Sequence, residues 1–234
     1  MGKVIIVRVA IFDFDGTLYR KETFKLLMSH LKNHPIYNTK YGQFFRWVAP
    51  RFAAYKMKIY PEARMKERSM QKYISVLDEL TKKELEDFFA KVTIEMHEDF
   101  NQEVLAKLEE HIADGVHVML VSGAYTIFLE AVVSGLPFSF DTLIGSEIPF
   151  NEQMIDRSKS IYHINGTRKN EAIHQALVGQ EIDWENSFAY ADSYSDLPVL
   201  ELVGNPIAVQ PDPKLKHTAQ QRKWQIIGDS PPLH

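Results

Sequence analysis

The strongest constraint on this chain is an apolar run, Val4 to Phe14, that ends in Asp13-Phe14-Asp15-Gly16-Thr17. β-Branched residues are frequent in the run and no clean apolar–polar alternation passes through it. That is the pattern of a strand covered on both faces inside a parallel sheet. Open sheets of this kind place their ligands beyond the carboxyl ends of the strands. Two aspartates at such an end, spaced i, i+2 and followed by a glycine that lets the backbone turn, can face one pocket. The competing reading is a plain strand-ending turn, in which Asp and Gly are favoured residues. A signal peptide is not expected: the run is short, Arg8 interrupts it, and no small-residue cleavage site succeeds it.

The next segment does not continue the sheet. From about Arg20 to Phe100 the chain is charged and helix-favouring, with predicted helices over Pro61 to Tyr73 and Thr81 to Met96. Thr81 and Glu84 have the spacing of a capping box. A strand–helix rhythm then resumes. Helix Gln102 to Ala113 stops at Gly115, strand Val116 to Val121 ends at Ser122-Gly123, and helix Tyr125 to Ser134 comes next. Thr142 to Ile148 reads as a third strand, and the irregular stretch Glu147 to Ile164 as a hairpin candidate. Helix Lys169 to Val178, strand Ser187 to Ala191, helix Leu197 to Val203 and strand Pro206 to Val209 complete the alternation. Trp224 to Ile227 adds a last strand, and Pro231-Pro232 a loose tail. The expected fold is α/β, a doubly wound, mostly parallel Rossmann-like sheet with an all-helical unit inserted after the first strand. Residues 1–19 and 100–234 form the core and 20–99 the insertion, a division that suits a chain of 234 residues.

Composition removes several classes of function. The chain has no cysteine, which excludes disulfides, thiolate metal sites and a cysteine nucleophile. A net charge of -4 gives no overall pull toward nucleic acid. No apolar stretch approaches the roughly 20 residues that span a bilayer. A cytoplasmic location is expected, with peripheral membrane contact not favoured and the oligomeric state open.

Three further places carry chemistry-bearing residues. Val121-Ser122-Gly123-Ala124-Tyr125 offers a hydroxyl and free backbone N–H groups at a helix start, a natural phosphate cradle, although Ser-Gly is also a common turn. Lys169, in Gly166-Thr167-Arg168-Lys169 at the start of a helix, is a cation available for charge neutralisation, with Arg168 as the competing choice. Tyr190-Ala191-Asp192-Ser193-Tyr194-Ser195-Asp196 sets two acids four apart across a strand-to-helix turn, suited to Mg²⁺. The plainer alternative there is helix capping by Ser195 or Asp196. The nine histidines are scattered without ligand spacing.

In this order, the four segments resemble the motifs of the haloacid dehalogenase superfamily, over nearly the whole core from Lys3 to Val209. The resemblance implies that Asp13 is a nucleophile forming an aspartyl-phosphate and Asp15 a general acid/base, with Lys169 completing the catalytic set. It implies phosphate contacts from Thr17, Ser122, Gly123 and Lys169. Mg²⁺ would be held by Asp13, the backbone carbonyl of Asp15, and Asp192, with Asp196 supporting from behind. The helical insertion resembles the C1 cap, and the branch it most resembles is the phosphoserine phosphatase-like one, where Glu22 stands at the position that contacts a substrate amino group.

The chain departs from that branch in two places. Gln71 to Leu80 lacks the cap arginine and has Glu79 in place of a glycine, leaving Arg64 and Arg68 as shifted substitutes, and Ser195 replaces an asparagine. The implied activity is hydrolysis of a small phosphorylated metabolite. Lipid phosphate hydrolysis, suggested by the aromatic and basic stretch Phe44 to Lys56, and phosphotransfer stand as alternatives. A packing role for those aromatics is the simpler expectation. Dehalogenation does not need Asp15, a P-type ATPase needs membrane helices, and a non-enzymatic scaffold need not keep Asp13, Asp15, Lys169 and Asp192 together.

Overall fold

The structure, a computed structural model, describes residues 6–228. Val4 and Ile5 of the expected first strand and the Pro231-Pro232 tail lie outside these residues. The amino-terminal part runs β1 (Ile6–Val7), β2 (Val9–Phe12), α1 (Thr23–Asn33), α2 (Asn38–Lys56), α3 (Glu62–Ser75), α4 (Lys82–Thr93) and α5 (Gln102–Ala113). It continues with β3 (His117–Tyr125), α6 (Thr126–Val133), β4 (Thr142–Ser146), β5 (Phe150–Asn151), β6 (Met154–Ile155) and α7 (Thr167–Ala176). The rest is β7 (Glu181–Ile182), β8 (Phe188–Ala191), α8 (Leu197–Leu200), β9 (Asn205–Val209), α9 (Pro213–Arg222) and β10 (Gln225–Ile227).

Six strands form the central sheet in the order β10-β9-β8-β2-β3-β4, every pairing parallel. β2 is central and buried throughout. Its side chains split between two hydrophobic clusters, as the pleat requires. Ala10 and Phe12 join the side that includes Val104 and Leu108 of α5 and Phe128 of α6. Val9 and Ile11 join the side that includes Ile173 of α7, Val199 and Leu200 of α8 and Leu215 of α9. Helices on both faces explain why the strand shows no alternation in sequence. The hairpin expected between Glu147 and Ile164 is β5–β6, an antiparallel pair.

Helices α1 to α4 occupy the expected insertion. Thr81 and Glu84 form the anticipated capping box: the Thr81 hydroxyl accepts from the Glu84 N–H at 3.2 Å, and the Glu84 carboxylate accepts from the Thr81 N–H at 2.8 Å. The insertion has no core of its own. Leu27, Phe44, Tyr73 and Phe89 belong to the same cluster as Phe12 and Phe14 of the sheet side.

Several details differ from the sequence reading, among them that α4 ends at Thr93 rather than Met96, giving way to a 3-10 turn over Ile94–Asp99, and that β4 ends at Ser146 rather than Ile148. β3 does not stop at Val121 but runs on to Tyr125, with a register shift against β4 between Val121 and Tyr125, a bulge of the kind that re-aims side chains near sites. Accordingly α6 starts at Thr126. α8 ends at Leu200, not Val203, because the chain must turn into Gly204, where a Cβ would come within 1.9 Å of the Glu185 carbonyl oxygen. The helix α9 was not anticipated, although Asp212 caps it and Pro213 opens it.

Candidate active site

The carboxyl ends of β2 and β8 are adjacent because the two strands pair, and the Asp13 N–H donates to the Tyr190 carbonyl at 2.9 Å. This brings Asp13 beside Asp192. Helix α7 then delivers Lys169, whose Nζ donates to Asp13 Oδ1 at 2.7 Å and lies 2.6 Å from Asp196 Oδ1. All three side chains are buried. One carboxylate oxygen from each of Asp13, Asp192 and Asp196 lies within 4.8 Å of the others.

Three acids against one lysine leave an excess of negative charge in a buried place. Burial pushes the Asp13 carboxyl well above its ordinary range; Lys169 opposes this, and Asp196 and Asp192 add to it. Burial and then repulsion by Asp196 raise Asp192 to about 7. Burial opposes the charge of Lys169, yet Asp13 and Asp196 hold its ammonium above the usual lysine range. A hard divalent cation among the three carboxylates would relieve the excess.

Gly16 is required twice over. Its φ of +76° lies in the left-handed region, and a Cβ there would sit 2.1 Å from Asp192 Oδ2. The glycine therefore permits the turn and lets the first motif approach the fourth. Asp15 faces the other way: its Oδ1 accepts from the Thr23 N–H at 2.8 Å and from the Thr23 hydroxyl, at the start of α1. Burial raises it to about 6, with the Thr23 bonds pulling it down. Two carboxylates two residues apart thus sit in different surroundings.

Residues 10–201 match the haloacid dehalogenase-like hydrolase family. The chain belongs to that family. A Streptomyces azureus protein named for inhibition of morphological differentiation is 30% identical over 131 residues, 56% of this chain and 47% of that protein. A phosphoserine phosphatase of Mycobacterium tuberculosis is 36% identical over 63 residues, 27% of this chain and 20% of its own length. The chain thus spans about half, or less, of the curated relatives it matches.

Among solved structures, a Bordetella pertussis protein of unknown function superposes with a TM-score of 0.78 at 20% identity, covering 95% of this chain and 99% of that one. A probable phosphoserine phosphatase from Vibrio cholerae gives 0.66 at 15% identity, covering 95% and 61%. At these identities the likeness is one of fold.

Within this haloacid dehalogenase-like frame, the remaining expected residues fall unevenly. Ser122 is buried, and its Oγ accepts from the Ala124 N–H at 3.1 Å. Gly123 packs closely, since a Cβ would lie 3.1 Å from the Ile164 carbonyl oxygen. Thr17 is fully buried, and its hydroxyl oxygen has no hydrogen-bond partner among the described residues. Glu22 is at the position preceding α1, its side chain 60% exposed and 3.9 Å from Lys25. Asp196 stands at the N-cap position of α8 but its side chain makes no capping bond, and Ser193 instead caps the short turn that contains Ser195 and Asp196. Arg64 and Arg68 of α3 are both exposed.

Three supporting residues were missed. Ser146 donates to the Gly123 carbonyl at 2.8 Å and accepts from the Ile164 N–H at 3.1 Å, tying the second motif to the segment leading to Lys169. Asp212 accepts from the Tyr194 N–H at 2.7 Å, while its own N–H donates to the Asp192 carbonyl at 2.8 Å, so it grips the fourth motif from behind. Asn170 donates to the Pro198 carbonyl at 2.9 Å and joins α7 to α8. The Asp212-Pro213 step was a legible capping signal; the other two carry no local signature.

Helix α3 lies against the same region. Gln71 accepts from the Ile161 N–H at 2.8 Å, Glu67 accepts from Asn165 at 3.1 Å and lies 3.6 Å from Arg168, and Tyr125 donates to the Met70 carbonyl at 2.8 Å.

Proposed function

We propose that this chain is a Mg²⁺-dependent phosphatase of small phosphorylated metabolites, working through an aspartyl-phosphate on Asp13. In this reading, residues 1–19 and 100–234 form the catalytic unit and residues 20–99 a cap over it. The observation that carries the reading is the Lys169 ammonium shared between Asp13 and Asp196, with Asp15 held apart on Thr23. One carboxylate is kept next to a cation and the other is kept protonatable, the division that a nucleophile and an acid/base require.

Asp13 attacks phosphorus while the bond to the leaving oxygen breaks, and Asp15 gives that oxygen its proton. Water then attacks the same phosphorus with Asp15 taking a proton, the Asp13–phosphorus bond breaks, and inorganic phosphate leaves. Lys169 neutralises charge on Asp13 and on the phosphoryl oxygens in both halves. Ser122 and the backbone around Gly123 hold the phosphoryl group. Asp13, the Asp15 carbonyl and Asp192 fit a bound Mg²⁺, with Asp196 supporting through Lys169; the ion would supply charge neutralisation and orientation of the phosphoryl oxygens. The α3 contacts to Ile161, Asn165 and Tyr125 support a covered site, which favours small substrates. Glu22, exposed at the cap side of Asp15, is the candidate for contact with a substrate amino group.

Phosphate release from an aryl phosphate, with and without Mg²⁺, tests this. Asp13→Asn should lower the rate by about four orders of magnitude, and equal rates for the two proteins would sink the mechanism. A panel including phosphoserine and phosphatidylglycerol phosphate then identifies the substrate, and an added alcohol acceptor separates hydrolysis from phosphotransfer.

A further inference from the structure

Between Thr23 and Pro61, the stretch that holds α1 and α2, there are seven lysines and arginines and no aspartate or glutamate. The whole chain is acidic, with 31 Asp and Glu against 27 Lys and Arg. This charge segregation coincides with exposed apolar surface. Tyr41, Phe45, Ala49, Phe52 and Lys56 recur at steps of three or four residues and therefore share one face of α2. Phe45 is 51% and Phe52 47% exposed. The turn that ends α2 continues the pattern. Lys58 adopts φ +59°, its N–H donates to the Tyr55 carbonyl at 2.8 Å, and Met57 and Ile59 stand 69% and 70% exposed between Lys56, Lys58 and Tyr60.

The cations and the rings are interleaved. The Lys56 ammonium lies 5.3 Å from the centre of the Phe52 ring and the Arg51 guanidinium 3.9 Å from that of Trp47. Apolar bodies with cationic heads suit the boundary between lipid headgroups and acyl chains. Phe44, on the opposite side of α2, packs edge-on against Phe24 and Tyr73 at 6.0 and 5.9 Å. Docking through the exposed face would leave the side toward Asp15 inside the protein.

We propose that the exposed face of α2 and its carboxyl-terminal turn dock the chain peripherally on an anionic lipid bilayer. Charge selects this occupant. Two copies of the chain meeting through this face would oppose two basic surfaces with no acid between Thr23 and Pro61 to receive them. Single-stranded nucleic acid would use the rings as stacking platforms, but the most exposed apolar side chains of the patch are the non-aromatic Met57 and Ile59, which suit acyl chains.

Sedimentation with extruded phosphatidylcholine vesicles, with and without phosphatidylglycerol, tests the proposal. The chain should bind the phosphatidylglycerol vesicles at low salt, leave them as salt rises, and ignore pure phosphatidylcholine. The double variants F45S/F52S and K56E/K58E should each weaken binding by about tenfold or more, with circular dichroism melts like the wild type. Equal binding to both vesicle types, or unchanged binding by both variants, overturns it. So does a dimer in solution that Phe52→Ser dissociates, or retention on single-stranded RNA with none on vesicles.

Discussion

At the carboxyl ends of β2 and β8, Lys169 lies within 2.7 Å of both Asp13 and Asp196 with only 7% of its side chain exposed. On α4, Lys83 reaches Asp87 at 2.9 Å with 73% of its side chain exposed. The distances are nearly the same and the consequences are not. Water and salt screen the helical pair, and ordering two long side chains cancels most of its attraction. In the buried trio each charge is held only by its neighbours, so removing one strands the others. The comparison separates charges that depend on one another in a buried cluster from charges that keep a helix surface wet.

The sharpest way to break the comparison is Lys169→Met. Without metal it should destabilise the chain by about 3–5 kcal/mol, and added Mg²⁺ should return part of the loss, as read by thermal melts with and without the ion. A variant as stable as wild type in chelator would show that the acids do not depend on the lysine.

Asp15→Asn sharpens it further, because the Asn oxygen can still accept from Thr23. The Asp15 carboxyl is raised to about 6. The folded state therefore holds its proton more tightly than the unfolded state. The resulting stabilisation is full below pH 4 and is lost as pH rises through 6. The Asn variant lacks that loss. It should become more stable than wild type by on the order of 2 kcal/mol by pH 7, and not at pH 4, in urea melts with chelator. Its phosphate release should fall by about 10²–10⁴.

The effects then shrink outward. Thr81→Ala removes one side of the capping box and should cost about 1 kcal/mol in urea melts, with phosphate release unchanged. Lys83→Ala should leave both the melt and the activity where they were, and a clear drop in either would show that exposed pairs matter more here than their screening allows.

Part of the site was legible because three of its motifs terminate a strand or open a helix, and β2 and β8 pair so that their ends meet; Ser122 and Gly123 instead lie within β3. The charge and spacing of Asp13 and Asp192 also pointed to an acidic cluster, which the two residues form with Asp196. What stayed hidden is relational. That Asp196 reaches Lys169, that Gly16 must lack a side chain because Asp192 stands against it, and that Ser146 links Gly123 to Ile164 are contacts between residues remote in sequence, with no local pattern. The aromatics of α2 were ambiguous for a related reason. Phe44 and Val48 pack inward as the helical spacing suggested, while Phe45 and Phe52 do not. The continuation of β3 through Tyr125 was missed because Ser-Gly reads as a turn, whereas pairing with β4 resumes beyond the bulge.

The position of β2 in the sheet also bears on the order in which the chain matures. It pairs with β3, which begins at His117, and with β8, which begins at Phe188. At roughly 5–20 residues per second of synthesis, β2 is made before β3 and well before β8, so one of its flanks stays unpaired until Phe188 has emerged. Before β3 is made, the helices of the insertion and α5 are already available to it, and their Leu27, Phe44, Tyr73, Phe89, Val104 and Leu108 share its hydrophobic cluster. The insertion would then shelter one face of a nascent strand before the sheet closes around it.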